Sequence, residues 1–399
     1  MPIPQTLLDK IQQFEDNLQS YKAGNYNETQ VRHDFIDPLF EAMGWDVNNA
    51  EGYAEAYREV IHEDAIKIEG KSKAPDYCFR IGGTRKFFVE AKKPAVNIKD
   101  SVDPAFQLRR YAWSAKLPLS VLTDFEEFAV YDCRIPPDKN DNPAKARIFY
   151  CTYQDLPQHW DYLTGIFSKQ AILKGAFDRY ADDNKQKRGT AEVDAAFLAE
   201  IETWRNSLAQ NLAKKNASLS VRELNYAVQV TIDRIIFLRI CEDRGIEEYG
   251  RLQSLTQGKD TYSRLTAQFH EADERYNSGL FHFQKEKGRA DETHDALTPT
   301  LKIDDLELRA ILQSLYYPAP YAFDVFPADI LGQVYERFLG KVIVLDNKHR
   351  ATVEEKPEVK KAGGVYYTPT YIVDYIVSRT VGKALEGKTP KTAAMLKIC

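Results

Sequence analysis

Two acidic residues and one lysine stand on two neighbouring strand-like runs of the sequence. Asp76 opens a run that alternates apolar and polar residues, and Glu90 and Lys92 close a second such run. The alternation is typical of half-buried strands, and Gly82-Gly83 between the runs predicts a hairpin turn. The hairpin is expected to bring Asp76, Glu90 and Lys92 together at one end of a twisted sheet. Clustered charges are costly to leave unpaired, so we expect a metal ion or a phosphate as the missing partner.

These residue types fit the hydrolysis of a phosphodiester bond. Carboxylates can hold a divalent ion that polarises the phosphate and lowers the pKa of the attacking water. A neighbouring lysine can orient that water and offset the charge that develops on the phosphate oxygens. The alternative is a surface strand on which Glu90 and Lys92 form an ordinary salt bridge.

The total charge and its local distribution point to different partners. The chain has 399 residues, which predicts two or three domains. Its formal net charge of −5 argues against a globally basic coat protein for nucleic acid. From Lys67 to Arg110, however, there are eleven Lys and Arg residues and five acids, a surplus of eleven minus five, or six. This surplus indicates either a local basic groove or a solvated charge cluster.

Cysteine and histidine spacing argues against zinc chemistry. The five cysteines are scattered without a CxxC pair, and the seven histidines show neither HxxxH nor HExxH spacing. This cysteine usage fits a reducing compartment. Neither the N-terminal residues nor any later stretch has the apolar run of a signal peptide or a membrane span, so we expect a cytoplasmic protein.

Periodicity predicts an α/β unit followed by a mainly helical part. Helices are expected over 5–22, 28–43 (with a kink or break at Pro38) and 103–114, and strands over 119–123 and 128–132 in addition to the hairpin. A strongly apolar pattern predicts a buried helix over 222–244, whereas 247–300 is expected to contain loops and short helices.

The hairpin motif resembles a known nuclease signature. Pro75-Asp76…Glu90-Ala91-Lys92 is similar to the PD-(D/E)xK motif of type I and type IIG restriction enzymes. The resemblance implies that Asp76 and Glu90 bind Mg²⁺ and that Lys92 positions the attacking water. It also implies that the nearby basic surplus forms a phosphate-contacting groove.

Two flanking segments extend this resemblance. Glu28, in the context Glu-Thr-Gln-Val-Arg, resembles the N-terminal helix that contributes an extra acid to such sites. Gln107 and Tyr111 resemble a QxxxY helix, which supports the site or contacts the DNA backbone. The structural alternative for Glu28 is a carboxylate in the first turn of a helix, where it interacts favourably with the helix dipole.

A second resemblance lies near the end of the sequence. Residues 363–370 resemble the segment before the catalytic core of γ-class N6-adenine DNA methyltransferases, where Tyr367, Thr368 and Pro369 would help to hold S-adenosylmethionine. The run 331–339 resembles the helical region before that segment in type IIG enzymes. A Thr cap with Pro in the first helical turn explains the same residues structurally. The 399 residues contain neither the Asp-Pro-Ala-Cys-Gly-Ser-Gly loop nor the Asn-Pro-Pro-Tyr motif, so the implied methyltransferase is incomplete here.

One further motif match, to the nucleotide-binding P-loop, is not expected to bind a nucleotide. Residues 382–389 fit the P-loop pattern GxxxxGK[ST], but they follow a predicted helix instead of a strand and precede Pro390. We interpret Gly387 as the cap of that helix.

Together the resemblances imply an α/β PD-(D/E)xK nuclease core, with a mixed central sheet flanked by helices, followed by a mainly α-helical domain. The implied parts are an endonuclease at 1–155, a helical connector at 156–345, a linker at 346–362 and the start of an adenine methyltransferase at 363–399. The expected function is a Mg²⁺-dependent DNA endonuclease portion of a type IIG-like restriction–modification enzyme, acting in host defence on double-stranded DNA.

Two other readings stay open. One is a non-catalytic DNA-binding or assembly subunit that docks a separately encoded methyltransferase half, favoured by the apolar run 393–399 that would otherwise lack a partner. The other is a degenerate gene product without a folded C-terminal part.

Overall fold

The computed structural model describes seven segments of the chain. They are residues 2–62, 75–183, 192–276, 278–283, 294–326, 340–356 and 370–388. Within them the chain forms a mixed α/β unit followed by a largely helical one. No helix in these segments is both long and apolar enough to cross a membrane.

The first unit is built on a six-stranded sheet. Its strands are β1 (Val60–His62), β2 (Tyr77–Ile81), β3 (Thr84–Ala91), β4 (Leu119–Thr123), β5 (Glu127–Asp132) and β6 (Arg147–Thr152). They lie side by side in chain order, and only the β3–β4 pair among them is parallel. A parallel pair requires a crossover connection between its two strands. The fourth helix of the chain, α4 (Val102–Ser114), lies in this connection. The predicted mixed sheet is thus confirmed, whereas β1 and β6 are additional strands.

The β2–β3 hairpin turns as its sequence predicts. Gly82 and Gly83 both have positive φ, 56° and 82°, which glycine adopts without a steric penalty. The alternation of β3 divides its side chains between two cores. Phe87 and Val89 pack into one hydrophobic cluster and Phe88 into another on the opposite face.

Three helices cover the Phe87 face of the sheet. They are α1 (Gln5–Lys22), α2 (Glu28–Val31) and α3 (Asp37–Ala42), with a π-helical segment at Arg32–Ile36 between the last two. The irregularity expected near Pro38 is therefore a π-helical turn just before it. Pro38 itself lies in the first turn of α3, where its missing N–H is tolerated.

The first hydrophobic core extends beyond the predicted boundary at residue 155. Helix α5 (Leu156–Phe167) places Trp160 and Leu163 in the same cluster as Phe87. The indole Nε1 of Trp45 also donates to the carbonyl of Phe167 at 2.8 Å. Since these contacts bury large apolar side chains, α5 is part of the α/β unit.

Helices α6 (Lys169–Leu173) and α7 (Ala176–Asp183) add Ile172 and Phe177 to the same core. The elements that follow are α8 (Val193–Lys215), α9 (Val221–Asp243), α10 (Arg251–Ser254), α11 (Thr261–Tyr276), α12 (Asp305–Gln313), β7 (Lys341–Leu345), β8 (Ala351–Glu355), α13 (Thr370–Val377) and α14 (Lys383–Leu385), and helices α8 to α12 form the helical unit. Helix α9 confirms the buried helix expected over 222–244. Helix α11 shows that the expectation of only loops and short helices over 247–300 is wrong. Its apolar anchors, among them Leu265 and Phe269, are too sparse to stand out in a polar sequence.

The charged region after residue 345 is also more ordered than predicted. Strands β7 and β8 form an antiparallel hairpin, and Ala351 is buried in the core formed by α8 and α9. The linker predicted at 346–362 is therefore wrong over Ala351–Glu355. Residues 357–362 lie outside the described segments.

Candidate active site

The hairpin register brings the predicted residues to one end of the sheet. Tyr77 pairs with Val89, so Asp76, just before β2, lies beside Glu90 on β3. Lys92 continues the strand, because its N–H donates to the carbonyl of Thr123 at 3.0 Å. The Nζ of Lys92 lies 2.5 Å from Oε1 of Glu90.

Glu90 is the most buried charged group of this cluster. Its residue surface is 2% exposed, and Oε1 accepts hydrogen bonds from Lys92 and, at 2.7 Å, from Nε2 of Gln107. Oε2 is buried and accepts no hydrogen bond from any described residue. Burial raises the pKa of Glu90 to about 8; Lys92 opposes the rise, and the negative charge of Asp76 adds to it.

Asp76 is fixed from two sides. Its Oδ2 accepts the main-chain N–H of Ala91 at 2.7 Å, and its Oδ1 lies 3.4 Å from Nη1 of Arg32. Burial raises the pKa of the Asp76 carboxyl, while the positive charges of Lys92 and Arg32 act against that rise. The raised pKa values of Asp76 and Glu90 thus have the same first cause, the burial of both carboxyl groups away from water.

Arg32 is a member of the site that the sequence reasoning did not single out. Its guanidinium lies 4.8 Å from the ring centroid of Tyr77, and its Nη2 lies 3.2 Å from Nδ1 of His62. The other ring nitrogen of His62 lies 2.9 Å from the carbonyl oxygen of Val47. If that nitrogen carries the proton, Nδ1 is free to accept from Arg32. The sequence did offer one signal for Arg32. It follows Glu28 by four residues, and residues with this spacing lie on the same face of a helix.

Glu28 lies at the rim of the cluster. Its side chain is 46% exposed, and its Oε1 is 3.7 Å from Nζ of Lys92. It also occupies the first turn of α2, which is capped by Asn27 in a capping box with Gln30. The structure therefore combines the helix-start position with proximity to the lysine.

The two predicted α4 residues have different surroundings. Gln107 donates directly to Glu90. Tyr111 is 5% exposed and packs between α4 and the sheet with Leu108 and Leu122. Its ring is therefore buried in the protein, whereas the side chain of Gln107 reaches the acidic cluster.

The basic surplus around the site is largely engaged within the protein. Arg109 is 1% exposed and its Nη1 lies 2.8 Å from Oδ2 of Asp141. Arg110 donates to the carbonyl of Ala319 at 2.9 Å, and Arg80 also donates to main-chain carbonyl groups. The buried Arg109 is therefore not available for the expected phosphate-contacting groove, and Arg80 and Arg110 are engaged by main-chain groups of the protein. Lysines 67, 71 and 73 lie outside the described segments.

The oxygen donors of this cluster suit the Mg²⁺ ion that the sequence motif implies. No group of three His, Cys, Asp or Glu side chains within the described residues is arranged to hold a metal ion. Magnesium, however, is commonly bound through one or two carboxylates together with water and substrate phosphates. Asp76 and Glu90 supply two such carboxylates, and the buried, unpartnered Oε2 of Glu90 is an available hard oxygen donor. These residues fit a divalent cation.

The methyltransferase-like residues cannot be placed in the same way. Tyr367, Thr368 and Pro369 lie outside the described segments, as do 331–339 and 389–399. The predicted helix after them begins at Thr370 and continues through a π-helical segment to α14. Gly387 follows α14 with a φ of 70°, in agreement with its interpretation as a cap.

Comparison with known proteins shows that this chain is similar to parts of restriction enzymes. A family model described as the type I restriction enzyme R protein N terminus matches residues 57–139, a range that includes every predicted site residue of the hairpin and α4. The chain is 36% identical over 388 residues to the type II restriction enzyme and methyltransferase RM.Eco57I of Escherichia coli. That alignment covers 96% of this chain and 37% of the relative, so the chain spans a little over a third of its length.

One solved structure is also similar. The type IIG restriction endonuclease BpuSI matches 77% of this chain and 31% of its own, with 14% identity and a TM-score of 0.21, which is too low to support an argument about the fold. The chain is therefore homologous over almost its whole length to part of a type II restriction enzyme and methyltransferase, and its residues 57–139 match the family described as the type I restriction enzyme R protein N terminus.

Proposed function

We propose that this chain is the Mg²⁺-dependent DNA endonuclease portion of a type IIG-like restriction–modification enzyme, with a PD-(D/E)xK nuclease core. The observation that carries the proposal is the Glu90 carboxylate, buried beside Asp76 with one oxygen free of partners among the described residues and the other bound by Lys92. A divalent ion bound there would polarise the scissile phosphate and activate water.

The protein side chains have separate tasks in this proposal. Asp76 and Glu90 would hold the ion, with Glu28 near the rim. Burial lowers the pKa of Lys92, but the negative charges of Glu90, Glu28 and Asp76 raise it by a larger amount, so the net shift of this pKa is upward. The net shift favours the ammonium form of Lys92. Its task would be to orient water and to offset charge on the phosphate oxygens.

The supporting residues keep this arrangement in place. Gln107 holds Oε1 of Glu90, which leaves Oε2 directed toward the proposed ion. Arg32 and the N–H of Ala91 hold Asp76. Such preorganisation matters because misplaced ligands lower catalytic rates steeply.

A plasmid cleavage assay tests the proposal. We compare the unaltered protein with Asp76→Ala, Glu90→Gln and Lys92→Ala, each with Mg²⁺ and with a chelator. Lys86→Ala is the matched control, because Lys86 lies on the same strand but pairs with Asp178, 3.1 Å away at the surface. Cleavage that needs Mg²⁺ and is lost in the three site variants supports the nuclease. Equal cleavage in every variant contradicts it, and DNA binding without cleavage favours the non-catalytic subunit.

We also propose that Tyr367, Thr368 and Pro369 belong to an S-adenosylmethionine site of the adenine methyltransferase portion of such an enzyme. The support is the resemblance of residues 363–370 to that segment, together with the similarity of the chain to a type II restriction enzyme and methyltransferase. Equilibrium binding of labelled S-adenosylmethionine tests it, with Tyr367→Ala expected to weaken whatever binding is measured.

A further inference from the structure

Helix α4 contacts the candidate site on one side and a distant part of the chain on the other. Gln107 bonds Glu90, as described above. The opposite contacts involve residues 317–326, here called the docking segment, which follow α12 in the helical unit. More than 200 residues of sequence separate α4 from the docking segment.

Polar contacts fix α4 to the main chain of the docking segment. The guanidinium of Arg110 donates through Nε to the carbonyl of Ala319 at 2.9 Å and through Nη2 to the carbonyl of Tyr321. The hydroxyl of Ser114 donates to the carbonyl of Pro320 at 3.2 Å and accepts the N–H of Ala322 at 2.9 Å. Two side chains thus satisfy four successive main-chain groups.

Apolar contacts make the docking segment part of the α/β unit's core. Ala322 and Val325 are 1% and 2% exposed and belong to the cluster between α4 and the sheet. The ring of Phe106 meets that of Tyr317 edge to face at 5.8 Å. Removing the segment would expose this face of α4 to water.

The other side of the docking segment is anchored in the helical unit. The N–H of Phe323 donates to Oδ2 of Asp243 at 3.0 Å, and Oδ1 of Asp243 accepts from the buried Arg239 at 2.7 Å. The ring of Phe323 also packs against Phe197 of α8 at 5.5 Å. The segment therefore lies between α4 and helices α8 and α9, with tight contacts to both.

We propose that Arg110 and Ser114 are positioning residues of the nuclease site, which hold α4 on the docking segment and thereby keep Gln107 on Glu90. A helix moves as a rigid body over such distances, and a hydrogen bond weakens steeply with displacement. The helical unit is thus a structural component of the site and not a mere connector. Only the effect of Gln107 and Glu90 on DNA cleavage rests on the proposed function; the attachment of α4 to the docking segment does not.

Hydrogen–deuterium exchange of the whole chain tests the structural step. Arg110→Met and Ser114→Ala remove the contacts described above. Lys116→Met is the matched control, because it removes a 2.6 Å pair with Asp194 of α8 just after α4 ends and leaves the Arg110 and Ser114 side chains in place. We expect exchange in peptides from α4 and from 317–326 to rise by about tenfold in the two variants, and not in the control. Unchanged exchange, or an equal rise in the control, would overturn the inference.

Plasmid cleavage by the same proteins tests the functional step. Gln107→Ala is expected to lower the cleavage rate by about tenfold, and adding Arg110→Met should cause little further loss, since both act through one hydrogen bond. Multiplicative losses would show independent roles and overturn the inference. Arg110→Lys, which retains one donor, should fold and recover part of the rate. If the unaltered protein does not cleave DNA, the proposed function fails, and the exchange result still decides the role of the docking segment.

Discussion

Gln107 and Lys92 bind the same oxygen of Glu90. Nε2 of Gln107 lies 2.7 Å and Nζ of Lys92 2.5 Å from Oε1, which leaves the buried Oε2 without a hydrogen bond from any described residue. A crossover helix and a strand end, brought together by the fold, thus orient one carboxylate. The orientation is what makes Glu90 a ligand candidate instead of one half of a surface salt bridge.

Glu90 should make stability depend on pH in the absence of divalent ions. Its pKa is about 8 in the folded protein, against an ordinary value of 4.5. Between these values the folded state holds a proton that the unfolded state has released, so rising pH favours unfolding, by at most about 1.4 kcal/mol per pH unit for one group. Urea unfolding with a chelator at about pH 5 and about pH 8 measures this slope.

Glu90→Gln is the control for that experiment, because it removes the titrating group and keeps the shape. The variant should lose part of the destabilisation at high pH, and added Mg²⁺ should stabilise the unaltered protein more than the variant. Identical slopes for the two proteins would show that Glu90 titrates normally.

Lys92→Met should separate ion binding from catalysis. The variant removes an ammonium beside the proposed reacting phosphate but leaves Asp76 and Glu90 in place. We expect cleavage to fall by about 10²- to 10³-fold, while calorimetry still detects a divalent ion. Lys86→Met serves as the control. Retained cleavage in Lys92→Met would argue for a purely structural lysine.

Arg32→Met should alter the pH dependence of cleavage. Without the positive charge 3.4 Å from Oδ1, the pKa of Asp76 rises further. The acid limb of the rate profile should therefore move to higher pH, and ion binding should weaken most at acid pH. Arg32→Lys should shift the limb less.

The surface pair of Arg58 and Glu55 offers a control for the Arg32 experiment, since Arg58→Met removes an exposed charge with no contact to Asp76 described here. His62→Gln should behave almost normally, because an amide can still accept from Arg32 and donate to Val47. An unshifted profile in Arg32→Met would exclude a role for this arginine.

Phe87→Ala should destabilise the α/β unit strongly. The ring is fully buried and stacks on Phe79 with centroids 4.5 Å apart and planes inclined by 7°. Its truncation leaves a cavity that costs about 3–5 kcal/mol. Urea unfolding measures the loss, and Leu173→Ala, at a side chain 61% exposed, should change stability by less than about 0.5 kcal/mol.

The sequence by itself determined the local features of this protein. The alternation around Gly82-Gly83 specifies a hairpin, because the two-residue period and the positive φ of glycine leave few other conformations. That hairpin alone is enough to bring Asp76, Glu90 and Lys92 together. Long apolar periodicity likewise specifies α9, since a helix with little polar face must be buried.

Only the tertiary structure decided which charges are available at the site. Arg109 and Arg110 count as basic surplus in the sequence, yet one is buried against Asp141 and the other bonds main-chain groups more than 200 residues away. Arg32 reaches Asp76 across 44 positions. Residue type and spacing carry no information on such partners, because burial and long-range pairing depend on how the helices pack against the sheet. The same packing orders α11 and β8, whose sparse apolar residues are stabilised by neighbours and not by their own pattern.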